Sequence, residues 1–308
     1  MPLKLIASRL IEAAIALLLM SIVIFLLSRV TGDPIALLLG DSAVEEAKQA
    51  LIRQLGLDRS LVEQYFTFLG NALQGDFGRS VTAGREPALE VVLSRLPASL
   101  SLAGVALTFT LAVGIALGVI AAIKHDTAAD VLIRLLALIG QSVPSFWLGI
   151  VMIYLVAVQW KLLPTSGYGG WQYYILPALT LGLFTLAAVT RLVRASMLDA
   201  LGSEYVKLAR IKGVSEAVVI WRHALSNSLI PVVTFMGSFF ATMITGAVVV
   251  ETVFAWPGIG RLAFESILSR DFPVIQTVVL VITALFIAAN LIVDFLYMII
   301  DPRMRDRS

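Results

Sequence analysis

The feature that most constrains this chain of 308 residues is the recurrence of long apolar runs. A helix needs roughly 20 apolar residues to cross the roughly 30 Å of a bilayer's hydrocarbon. Six runs meet that length: about Leu10 to Ser28, Leu100 to Ile123, Leu135 to Val158, Gln172 to Leu192, Leu229 to Val250 and Val274 to Ile300. The expected fold is therefore all-α and polytopic, with about six transmembrane helices. Composition agrees, because a chain 59% hydrophobic and 14% charged carries more apolar surface than one soluble core can bury. The first run follows Lys4 and Arg9, is too long for a signal-peptide core and lacks a small-residue cleavage pattern, so it reads as a retained anchor. With no repeat and no low-complexity linker, residues 1–308 read as a single transmembrane domain.

Charge placement orients the spans. Arg191, Arg194, Lys207, Arg210, Lys212 and Arg222 share one connecting segment while Lys161 stands alone in the preceding one, and short cytoplasmic loops collect Lys and Arg. The segment 191–227 is thus expected to be cytoplasmic, with both termini on the same side. Tyr168, Trp171, Tyr173 and Tyr174 then fall at the outer interface, where amphipathic rings sit. Residues 31–95 form an extracytoplasmic insertion with two helix signatures: Ser42 with Glu45 and Ser60 with Glu63 match the capping box, and Gly56 and Gly75 stand where left-handed caps would stop each helix.

Several chemistries are excluded. The chain has no cysteine, which removes disulfides, thiolate metal sites and cysteine nucleophiles. Its two histidines, His125 and His223, lie in polar stretches outside the spans, so neither a metal centre nor a histidine-dependent active site is expected at membrane depth. The net charge of +2 comes without a basic tract, which argues against a nucleic-acid partner. No Gly-Lys dipeptide occurs, so no phosphate loop ending in Gly-Lys-Ser/Thr exists. Any nucleotide hydrolysis that drives this chain happens on another polypeptide.

Such a partner must push on a cytoplasmic surface, and 191–227 is organised to receive one. Ser203 is placed to cap a helix that begins at Glu204 and ends at Gly213. Tyr205, Leu208, Ala209 and Lys212 fall at helical spacing on one face, as a knob for a partner's groove would. A helix lying on anionic lipid through its basic side chains is the other reading of the same pattern.

The run Glu204-Tyr205-Val206-Lys207-Leu208-Ala209-Arg210-Ile211-Lys212-Gly213, followed by Arg222-His223-Ala224-Leu225-Ser226-Asn227-Ser228-Leu229-Ile230-Pro231, resembles the cytoplasmic coupling loop of dipeptide/oligopeptide/nickel-type ABC permeases. Lys207 stands where the general importer motif has Glu, a departure that resembles the peptide branch. The resemblance continues through Gly32-Asp33-Pro34, Gly75-Asp76-Phe77-Gly78, Pro144-Ser145-Phe146-Trp147, Glu251 to Gly260, and Asp294 to Asp301-Pro302-Arg303. It implies a type I ABC importer permease in a bacterial cytoplasmic (inner) membrane that is not itself an enzyme. The implied partners are a homologous second permease subunit, two ATPase subunits that hold ATP and Mg, and an extracytoplasmic solute-binding protein. The family handles peptides, nickel chelates and glutathione-like compounds, and nothing in these residues chooses among them.

Polar residues inside the spans are candidates for pore lining or helix packing. Asn290, Asp294, Tyr297 and Asp301 recur as a stripe on the last span, where a lone charge costs on the order of 3 kcal/mol facing lipid. In the third span, Gln141 and Ser142 precede Pro144, which frees a carbonyl and can kink the helix; a broken helix flanking a translocation path and a simple packing kink are the two readings. An ion- or proton-coupled transporter working without an ATPase is the rival reading, and Glu12 is the only other acidic residue the spans offer it.

Overall fold

The computed structural model describes residues 3–31, 45–54 and 56–300, and among them the backbone is helical, with one isolated bridge between Arg79 and Pro87 and no strand. The helices are α1 (Leu3–Thr31), α2 (Glu45–Gln54), α3 (Leu61–Leu73), α4 (Ala88–Ile123), α5 (Ala128–Ser142) and α6 (Ser145–Met152), the last prolonged by a π-helical stretch, Ile153–Gln159. Next come α7 (Gln172–Gly202), α8 (Glu204–Ile211), α9 (Leu225–Val253), α10 (Ile259–Leu268) and α11 (Phe272–Ile300). A single turn, Glu216–Val218, and a second π-helical stretch, Val219–Ala224, lead into α9.

Among the described residues, four segments are long and apolar enough to cross a membrane: Ala7–Val30, Ala88–Ile123, Gln172–Gly202 and Phe272–Val293. The run expected over Leu135 to Val158 is not one straight span. Its helices α5 and α6 meet at an angle of 104°, and counting the pair as one crossing gives five. Pro144 has no amide to donate and forces Val143 into extended backbone (φ −88°, ψ 125°), so the helix stops there. The run at Leu229 to Val250 lies within α9, a helix of 29 residues. Two boundaries also move. α7 continues to Gly202, which places Arg191 and Arg194 on a helix instead of in the expected loop, and α4 starts at Ala88, inside the expected insertion.

The chain forms two compact units. One comprises residues 1–97 and 258–287. Here Phe25 of α1 packs edge-on against Tyr65 of α3 at 5.5 Å between ring centroids, and the Ser21 and Tyr65 hydroxyls share a hydrogen bond of 2.9 Å. The Ser60–Glu63 capping box forms as expected, with Glu63 N donating to Ser60 Oγ at 3.3 Å and Ser60 N to Glu63 Oε2 at 3.1 Å. Gly56 (φ +65°) and Gly75 (φ +81°) take the expected left-handed caps. Ser42 and Gly32 to Pro34 lie outside the described residues.

The other unit comprises residues 98–257 and 288–308. In it α4 lies close against α7. Gly114 and Gly118, four residues apart on α4, meet Val189 and Val193 of α7 so closely that a Cβ at Gly118 would stand 2.6 Å from the Val193 Cβ. Small residues at that spacing let two backbones approach where lipid supplies no hydrophobic drive. A second apolar cluster joins Leu102, Ala106, Leu176, Val250, Phe254 and Trp256.

Candidate functional site

Helix α8 is the expected Glu204 to Gly213 element. Ser203 sits at its N-cap with extended backbone, but its hydroxyl donates back to the Ala200 carbonyl and does not cap. Gly213 ends the helix at φ +78°, as expected. The face presented outward differs from the expected one. Val206 and Ala209 turn inward and pack on Val219, with Leu201 and Val214 around them, so Ala209 is 8% exposed and offers nothing to a partner. The reason is the reversal at Gly213, which brings Val219 back over the helix. Val206 and Ala209 are the apolar pair one turn apart that closes against it. The outward surface is Tyr205 (43% exposed), Leu208 (51%) and Ile211 (81%), flanked by the exposed Lys207, Arg210 and Lys212.

Charges tie this loop together. Lys207 Nζ donates to Glu204 Oε1 at 2.8 Å, and Arg210 reaches past the reversal to Glu216, with Nε to Oε1 at 2.7 Å and Nη2 to Oε2 at 3.2 Å. The guanidinium's hydrogen bonds hold the Glu216 carboxyl below its ordinary range. Two-point pairing is the stronger kind, and it links α8 to the turn beyond Gly213 while both side chains stay exposed.

The break between α5 and α6 opens on a cavity of about 310 Å³, within the size class of ligand pockets. Gln141, Ser142 and Pro144, singled out in the sequence, line it together with Thr180, Leu183 and Phe184 of α7. At such a break the last carbonyls of α5 and the first amides of α6 lose their in-helix partners. Of the stripe on the last span, Asn290 is half-buried; the side chains of Asp294 and Tyr297, and all of Asp301, lie outside the described residues. Glu12 is exposed and pairs with Arg9 at 3.2 Å.

Three buried acids escaped the sequence reading. Asp130, fully buried, accepts two hydrogen bonds from Arg194, Nε to Oδ1 at 2.6 Å and Nη2 to Oδ2 at 2.7 Å, with Arg134 at 3.3 Å. Glu251, also fully buried, accepts from Ser99 Oγ at 2.5 Å. Asp271 Oδ2 takes the Ser80 and Thr82 hydroxyls and the Val81 and Thr82 amides, all between 2.6 and 3.1 Å, which pins the turn ahead of α4 to the start of α11. The available signal was position: Asp130 and Asp271 each stand at the head of an apolar helix, where a carboxylate suits the free amides. His125, Asp126 and Asp130 bring possible metal-ligand atoms within 4.8 Å of one another, but the two arginines already occupy Asp130.

This architecture has known relatives. Residues 114–306 match the family model of the binding-protein-dependent transport system inner membrane component, and residues 2–103 match the N-terminal model of the same membrane component. The glutathione transport system permease protein GsiC of Escherichia coli (strain K12) is 41% identical over 298 residues, covering 96% of this chain and 97% of that protein, and GsiC of Shigella dysenteriae serotype 1 matches equally. Two solved structures share the fold. An inward-facing MetNI methionine ABC transporter aligns with a TM-score of 0.61 at 16% identity, over 70% of this chain and 99% of the other. An amino acid ABC transporter with histidines aligns at 0.53 and 15%, over 68% and 94%. The chain belongs to the family of binding-protein-dependent transport inner membrane components: it is a pore-forming permease subunit of an ABC importer with a type I permease fold.

Proposed function

We propose that this permease imports short peptides or glutathione-like compounds, taking its stroke from partner ATPases through the helix from Glu204 to Gly213. The substrate class rests on the 41% identity to glutathione permeases over nearly the full length of both chains. The coupling role rests on α8, a short helix held by its own apolar core and the Arg210–Glu216 pair while Tyr205, Leu208 and Ile211 stay uncovered. A rigid knob with an uncovered apolar tip fits a partner's groove.

The proposed assembly is this chain with a homologous second permease subunit, two ATPase subunits and an extracytoplasmic solute-binding protein. ATP and Mg belong to the ATPases, since no phosphate-cradling loop exists here. In a bacterial cytoplasmic membrane both termini and α8 face the cytoplasm, on the strength of the Lys and Arg distribution. The cavity at Gln141, Ser142 and Pro144 is offered as part of the translocation path, where its polar backbone finds water or solute in place of lipid.

The test is reconstitution. The complex purified through a tag on this chain is placed in proteoliposomes with its binding protein outside and ATP inside. Uptake of labelled glutathione or of a labelled dipeptide mixture supports the substrate reading. Uptake that continues without the ATPases and collapses with the ion gradient returns the chain to the ion-coupled alternative.

A further inference from the structure

The geometry points to the Asp130–Arg194 pair as a positioning element for transport: it makes α5 travel with α7, so that a push on the cytoplasmic loop reaches the cavity at the Val143–Pro144 break. This rests on the reading of α8 as the coupling helix.

The argument is one of attachment. α8 is separated from α7 by Ser203 alone, and its inward residues Val206 and Ala209 pack with Leu201 of α7. A displacement of the loop is therefore a displacement of α7. The cavity, however, is walled on one side by α7, through Thr180, Leu183 and Phe184, and on the other by the end of α5, through Gly140, Gln141 and Ser142. Its shape changes in a defined way only if the motion of α5 relative to α7 is fixed.

Two contacts fix it. Near the cavity, Gly140 lies against Leu183, where a Cβ would stand 3.2 Å from the Leu183 Cγ. At the other end, about 16 Å away at 1.5 Å per residue, the Asp130 carboxylate holds Arg194 by two charged hydrogen bonds. Apolar faces slide on one another. A two-point ion pair does not, because any slip leaves the buried Asp130 carboxylate without the partner that compensates its charge. Asp130 is further held by Arg134 one turn along its own helix and by the Asp126 amide at 3.2 Å, so its carboxylate has little freedom. The 104° break then absorbs the motion that the clamped α5 cannot.

The experiment uses the assembled complex, with partner cysteines removed; this chain contains none. Spin labels at Ala128→Cys on α5 and Ser215→Cys on the loop report their separation before and after ATP is trapped with vanadate. With the pair intact, the separation keeps one narrow distribution while the loop label moves relative to the ATPases. In Asp130→Asn and in Arg194→Gln the separation shifts or broadens on trapping. Labelled glutathione taken up per ATP hydrolysed falls about tenfold or more, within the roughly 5- to 150-fold range of coupling between sites. In a protein without the label cysteines, bridging Asp130→Cys to Arg194→Cys with a short bis-methanethiosulfonate restores the uptake per ATP hydrolysed, which separates lost tethering from a damaged fold. Unchanged separations and uptake ratio in both single variants overturn the inference, as does a bridged protein that stays uncoupled. A loop label that does not respond to trapped ATP in the intact complex removes the coupling reading itself, and the clamp falls with it.

Discussion

Trp256 donates its indole Nε1–H to the backbone carbonyl of Ala98 at 2.9 Å, across 158 residues of sequence, with neither residue reaching water. Tyr168 and Tyr174 pack edge-on against the same indole at 4.9 and 4.6 Å. Trp256→Phe keeps most of the ring but loses this hydrogen bond, which costs about 0.5–1.5 kcal/mol, because the Ala98 carbonyl still accepts from Ser101 Oγ at 2.9 Å. Trp256→Ala also opens a cavity and costs roughly 3–5 kcal/mol. Thermal unfolding of the detergent-solubilised protein should rank wild type above Trp256→Phe and Trp256→Ala lowest; a Phe variant as stable as wild type would remove the hydrogen bond from the account.

Gly118→Ala and Gly104→Ala make an internal comparison. At Gly118 a Cβ collides with Val193 and with the Thr190 carbonyl, whereas nothing lies within 4 Å of a Cβ at Gly104. The first substitution should destabilise by about 1–3 kcal/mol through overpacking, and the second should be neutral or stabilise by about 0.5–1 kcal/mol as a helical Gly→Ala exchange. Unfolding midpoints of the two variants check both signs.

The outward face of α8 predicts which substitutions uncouple without unfolding. Leu208→Glu and Ile211→Asp alter exposed side chains and should leave insertion and melting unchanged while ATPase co-purification drops several-fold, as loss of an interface anchor does. Ala209→Trp forces bulk onto Val206 and Val219 and should unfold the loop first. If instead charge reversal at Lys207 and Lys212 abolishes function while Leu208→Glu is silent, the helix serves a lipid surface.

Protonation provides a separate check on the loop. The Glu216 carboxyl is depressed below 4.5 by its hydrogen bonds to Arg210. A depressed carboxyl contributes its stabilisation above the unfolded value and loses it as pH falls through the folded one. Loop order, followed by a spin label at Ser215, should therefore be flat through neutral pH and decline only on the acid side, as the lowered Glu216 carboxyl is protonated. Glu216→Gln should remove that acid-side step, and a step that survives the substitution assigns it to another group.

Topology follows from the charge distribution. A reporter inserted after Gly70 should read extracytoplasmic, and reporters near Ser215 or after Ser308 cytoplasmic. A cytoplasmic signal at Gly70 inverts the assignment.

What the sequence foretold is what short-range rules govern. Ser60 and Glu63 cap α3 because both partners lie within four residues, and Gly213 reverses the chain because only its own torsion is involved. Pro144 announced the break, but not the bend of 104°, which depends on what packs on each half. Ala209 was assigned to the wrong side of α8, because periodicity finds which residues share a face and not which face is covered. The cover is Val219, beyond a turn whose path local rules do not set. The Asp130–Arg194 pair joins residues 64 apart, and each alone reads as an ordinary charge at a helix end.

The bend between α5 and α6 also bears on how the subunit is made. Neither half alone is long enough to cross the hydrocarbon, and the polar backbone at their junction is tolerated in a membrane only against protein or water. A newly inserted copy therefore carries an incomplete segment until neighbouring surfaces close over it.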